Sequence, residues 1–120
     1  MRLVIVESPF AGDVANNIEY ARMCVRDALQ RGEAPIASHL LYTQDGILDD
    51  AVPAEREQGI QAGLAWLKVA DATVVYIDRG ISTGMNVGII MAHKAGVPVH
   101  YRRIEGDDTE TVQGSGQETR

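Results

Sequence analysis

Two runs of apolar, mostly β-branched residues, 2–7 (RLVIVE) and 72–77 (ATVVYI), limit what this chain can fold into. Neither alternates apolar with polar residues. A strand with one wet face alternates, so an unbroken run predicts a strand covered on both faces. The covering elements are legible between the runs. After Asp13, a residue suited to capping, Val14, Ile18, Ala21, Val25, Ala28 and Leu29 recur at helical spacing until Gly32. Pro53 suits a first helical turn, with Glu55 and Glu57 near its positive end and Ile60, Leu64 and Leu67 along one face. Ser82 or Thr83 can cap a third helix, which runs to Gly96. The stretches 34–42 (APIASHLLY) and 97–102 (VPVHYR) are expected to be the remaining strands, and Trp66 and Tyr76 are expected in the core. The order β-α-β-α-β-α-β predicts a single three-layer α/β domain. Its sheet is expected to be parallel and flavodoxin/Rossmann-like, with four or five strands and helices on both faces.

This domain is expected to span residues 1–104. Residues 105–120 are polar and carry five acids against one arginine, the composition of a disordered acidic tail. That tail holds most of the net charge of −6, and the rest has no basic stripe. Binding a nucleic-acid polymer requires clustered Lys and Arg, so such a partner is not expected. Cys24 is the single cysteine, so no intramolecular disulfide can form. No apolar run approaches the ~18 residues of a membrane span, and the start MRLVIVESPF reads as a strand, not a signal segment. A cytoplasmic protein without a membrane partner is expected.

Parallel α/β sheets bind ligands at the carboxyl ends of their strands. Three segments are expected to meet there: Glu7–Gly12, His39–Asp50 and Asp78–Met85. In the first, Glu7 ends a strand, Pro9 and Gly12 shape a turn, and Phe10 offers a wall for a flat ring. In the second, His39 can donate to a phosphate or act as acid or base. Asp45 and Gly46 form a turn. Asp49 and Asp50 have no His or Cys at ligand spacing, so no metal is expected. In the third, Gly80 and Gly84 permit close backbone approach, Ser82 and Thr83 supply hydroxyls, and the helix start aims free N–H groups at an anion. The spacing matches neither a Walker loop nor G-x-G-x-x-G, so no dinucleotide or other cofactor is expected.

Ser8-Pro9-Phe10, Ser82-Thr83-Gly84-Met85, Ala92, Gly96 and Pro98-Val99 together resemble the nucleoside 2-deoxyribosyltransferase-like superfamily. ESPFAGD, RGEAPIASHLLYTQDGILDD and GISTGMNVGI look more closely like a group of small, often phage-encoded proteins of that fold, over residues 3–102. The superfamily's enzymes cleave or exchange N-glycosidic bonds of deoxynucleosides or their monophosphates. A Glu four residues after the Gly of S-x-G serves as nucleophile and forms a covalent glycosyl-enzyme. Here that position is Gly88, and no carboxylate occurs between Arg79 and Ile104.

The resemblance implies a nucleotide-like small molecule, with its phosphate or ribose at Ser82 and Gly84 and at the amides near Met85. Ser8, Pro9, Phe10, His39, Gly80, Thr83 and Gly88 are expected to complete the site. Losing the nucleophile, with a larger and less negative cleft at Gly88, favours ligand held without turnover. The alternative is an N-glycosidase or deoxyribosyltransferase that uses a displaced carboxylate, Glu7 or Asp78. A purely structural module with the tail as contact is a third reading. The related enzymes also imply a homodimer or larger homo-oligomer.

Overall fold

A computed structural model describes residues 1–104 and 111–112. Strands β1 (Leu3–Glu7), β2 (Ala34–Ile36), β3 (Ala72–Tyr76), β4 (Val99–Arg102) and β5 (Thr111–Val112) form one sheet in the order β2-β1-β3-β4-β5. The first four are parallel, and β5 pairs antiparallel with β4. Helices α1 (Val14–Gln30), α2 (Ser38–Leu41), α3 (Pro53–Ala65) and α4 (Thr83–Lys94) make the connections, with a 3₁₀ turn at Trp66–Lys68. This is the expected three-layer α/β fold with a parallel core sheet. The expectation for the tail lies outside the described residues except at Thr111 and Val112.

The period-2 rule assigns each strand residue to one of two cores. Val4, Val6, Ala72, Val74 and Tyr76 pack with Tyr20, Cys24 and Ala28 of α1. On the other face Val75 and Val99 pack with Met85, Ile89 and Ala92 of α4. Both faces of β3 are thus occupied, and the whole strand is buried.

Four local expectations change. The run 34–42 is a strand only over Ala34–Ile36. β2 is an edge strand and Pro35 has no N–H, so extension adds few ladder bonds. A helical turn instead lets the amides of Leu40 and Leu41 donate to Ala37 O at 3.0 and 2.9 Å. The inward face of α1 is Asn17, Tyr20, Ala21, Cys24 and Ala28, so of the expected apolar set Ala21 and Ala28 are buried and Val25 packs beside them, whereas Val14 and Leu29 are exposed. Two polar side chains turn that helix inward. Asn17 donates to Phe10 O at 2.9 Å and Tyr20 Oη donates to Asp78 at 2.7 Å. Trp66 is 41% exposed, and its indole donates to Tyr42 Oη at 2.9 Å. α3 buries no residue fully, because its apolar face borders a cavity.

Candidate functional site

A cavity of about 440 Å³ lies between the sheet and α3. Its walls are the carboxyl end of β1 with the following Ser8, Phe10 and Ala11, then α2, the inner face of α3 and the first turns of α4. Ile5 and Thr73, partners in the β1–β3 register, also line it.

Glu7 enters this cavity because β1 alternates, with Val4 and Val6 facing α1 and Ile5 and Glu7 facing the other way. Its carboxyl group lies against Gly88. A Cβ built on Gly88 would overlap Glu7 Oε2 and come within 2.6 Å of Cδ. The cleft is therefore not enlarged at Gly88, because Glu7 fills the room from β1. Burial without a compensating charge pushes the Glu7 carboxyl up to about 8, so it is mostly protonated at neutral pH. The cavity therefore keeps a carboxyl group beside Gly88, in its uncharged form.

Beside it, Ser8 Oγ and His39 Nε2 lie 2.6 Å apart. Burial lowers the His39 imidazole to about 4, so the ring is neutral. A neutral imidazole bonded to a hydroxyl is a directional polar pair, and it carries no charge to repel or attract a ligand.

α4 presents its amino terminus to the same space. Ser82 is the N-cap, and its hydroxyl accepts from Met85 N at 3.2 Å. That bond uses the Met85 amide and the Ser82 acceptor, two groups expected to be available to a ligand. The amides of Thr83 and Gly84 remain as the first of the helix, without an intrahelical acceptor. Gly84 faces open space, with nothing within 4 Å of a Cβ built there, and its φ is not positive. Neither packing nor backbone conformation calls for glycine at this position.

Of the expected residues, Glu7, Ser8, Phe10, His39, Ser82, Thr83, Gly84, Met85 and Gly88 line the cavity. Pro9, Asp78 and Gly80 do not. Asp78 turns to the α1 side, where it accepts from Tyr20 Oη and from Ile104 N at 3.1 Å. That placement removes it as a substitute carboxylate in this cavity. Gly80 has φ 83° and forms a turn in which its N–H donates to Ile77 O. Pro9 shapes the chain beside the cavity wall.

The sequence reading missed the α3 wall. Arg56, Gly59, Ile60, Gly63 and Leu64 lie three or four apart on one helix face and all line the cavity. Gly63 permits close contact with α2, since a Cβ there would come within 3.0 Å of Ser38 Cβ. The pair of glycines four apart on this face was the available signal. Arg56 is the single Lys or Arg among the lining residues, and Asp50, 3.8 Å from its Nε, and Glu55 flank it. Among the described residues no group of three or more metal-ligating side chains gathers, and no described helix is long and apolar enough to cross a membrane.

A cavity at the strand carboxyl ends of a parallel α/β sheet, beside a helix amino terminus, is the place where domains of this architecture commonly bind small ligands. The fold is similar to a solved structure described as a 2-deoxyribosyltransferase from the psychrotolerant bacterium Bacillus psychrosaccharolyticus, a biocatalyst for nucleoside synthesis. The TM-score is 0.63 at 17% identity, covering 90% of this chain and 77% of that one. No curated protein matches the chain. The chain belongs to the family described as a domain of unknown function, DUF7768, whose model matches residues 2–102.

Proposed function

We propose that this protein binds a nucleoside or nucleoside monophosphate, with the sugar or phosphate end at Ser82, Thr83 and Gly84 and the ring in the apolar part of the cavity. The observation that carries this reading is the 440 Å³ space, of small-ligand size, that ends on the amino terminus of α4. The fold similarity to a deoxyribosyltransferase supports the nucleoside class. The lining charges limit the ligand's charge. One guanidinium, Arg56, faces two acids, Asp50 and Glu55, which disfavours a polyphosphate.

Gly84 is the position at which the reading is most exposed to test. Gly84→Ala is expected to stabilise the helix by up to about 1 kcal/mol, because alanine is the better helix former. The same methyl occupies space reserved for the ligand, so binding is expected to weaken about tenfold. Thermal unfolding and titration with nucleosides measure the two effects. Unchanged affinity would remove Gly84 from the site.

A second reading is favoured by the contact between Glu7 and Gly88. Glu7 would then attack the sugar carbon of an N-glycoside as the displaced nucleophile. With its carboxyl near 8, only the ionised form attacks, so the rate would rise with pH through about 8. Incubation with nucleosides and their monophosphates, followed by denaturation and mass-detected chromatography, separates the readings. Intact ligand recovered from the protein supports binding. Free base released over many turnovers, and abolished by Glu7→Gln, supports cleavage. If the whole panel gives neither bound ligand nor free base, the nucleoside reading ends.

A further inference from the structure

The Glu7 carboxyl group makes no hydrogen bond among the described residues, and burial alone shifts it. The groups around it explain why it stays uncharged. Just after β1, Ser8 is engaged with His39 of α2, which is neutral. From β3 comes Thr73, whose buried Oγ1 also has no partner. The cavity residues of α4, from Thr83 to Gly88, carry no charge. Asp50, Glu55 and Arg56 stand on the loop before α3 and its first turns, and Asp50 and Arg56 face each other. No cation therefore compensates a carboxylate at Glu7, and an unpaired buried charge is strongly disfavoured.

A protonated carboxyl group presents one donor and one acceptor side by side. Its O–H is a strong donor, and the best acceptor a nucleobase offers is an unprotonated ring nitrogen. Adenine and cytosine place such a nitrogen next to an exocyclic amine. Resting on the nucleoside reading above, we propose that Glu7, as the uncharged acid, reads the ring of the ligand. Its O–H donates to a ring nitrogen, and its carbonyl oxygen accepts from the adjacent amine of an adenine- or cytosine-type base. Guanine offers two adjacent donors, N1–H and N2–H₂, and that edge complements a carboxylate instead.

This assignment gives Glu7 a role that a nucleophile would not share. Glutamine offers the same donor and acceptor pair in nearly the same shape, and its amide does not titrate. The test is titration calorimetry with 2′-deoxyadenosine and 2′-deoxycytidine at pH 7 and pH 9. Wild type is expected to bind at least one of them at pH 7 and to lose about tenfold in affinity at pH 9, one unit above the Glu7 midpoint. Glu7→Gln is expected to restore the pH 9 affinity and remove the pH dependence, whereas Glu7→Leu weakens binding at both values. Affinity that is flat or rising with pH in wild type overturns the proposal, as does a Gln variant that no longer binds. Binding of 2′-deoxyguanosine that strengthens at pH 9 also overturns it while leaving the nucleoside reading intact. Failure of every nucleoside and monophosphate in the wider panel would overturn both.

Discussion

Replacing Arg102 with methionine is expected to destabilise the fold by about 3–5 kcal/mol, the usual consequence of stranding one member of a buried ion pair. Arg102 leaves β4 with Nη1 at 2.7 Å from Glu33 Oε1 and Nη2 at 2.5 Å from Oε2, a two-pronged contact. Both residues are nearly inaccessible, at 5% and 6% exposure. Without the guanidinium, Glu33 would keep only Arg2, whose Nη1 is 4.0 Å away and whose side chain is half exposed. Tyr76 Oη would lose a long contact at 3.4 Å but still donate to Asp27 at 2.7 Å. Replacing both members, Glu33→Leu with Arg102→Met, is expected to recover most of the loss because no charge remains to be desolvated. Chemical denaturation of the two variants gives the answer. A loss below about 1 kcal/mol for the single variant would mean that water reaches the pair and that it acts as a surface contact.

The second large effect concerns Glu7 in the empty protein. Its carboxyl is ordinary in the unfolded chain, near 4.5, and near 8 in the folded one. Between those values the folded state holds a proton that the unfolded state has lost, so stability falls as pH rises from about 4.5 to about 8. Glu7→Gln removes this linkage. The variant's advantage over wild type is therefore expected to grow across that window, reaching on the order of 4 kcal/mol by pH 8. His39 titrates in the opposite sense. Its folded value is near 4, below the ordinary 6.5, so it costs stability as pH falls from about 6.5 toward 4. Since His39 is present in both proteins, the difference between them isolates Glu7. Denaturant unfolding at pH 5 and pH 8 measures it. A difference that does not change with pH would place a charge partner or open water at Glu7.

These two residues mark where reading the sequence stops. The chain's periodicity made β1, β3, α1 and α4 legible, because a buried parallel strand must be apolar on both sides and its covering helices must repeat every three or four residues. Local chemistry also placed the caps. Asp13 accepts from Asn16 N, and Ser82 accepts from Met85 N. The topology rule brought Glu7, His39 and Ser82 to one end of the sheet, and they do line one cavity. Asp78 was misassigned by the same rule, because a residue at a strand's carboxyl end can turn to either face and the α1 side offered it Tyr20 and the Ile104 amide. The apolar face of α3 was legible in Ile60 and Leu64, but its place as a cavity wall was missed, because the topology rule points to strand ends and not to the helix that covers them. Gly59 and Gly63 allow the close approach of α2 and the loop after it.

The sequence by itself determined the layers, the parallel core of the sheet and the helix starts, since each depends on contacts or patterns within about a dozen residues. Tertiary structure decided what the site contains. Ser8 meets His39 across 31 positions and Arg102 meets Glu33 across 69. Whether Glu7 covers Gly88 depended on strand register and side-chain direction. Those long-range placements set the charge of Glu7, because desolvation is fixed by everything packed around a group and not by its neighbours along the chain.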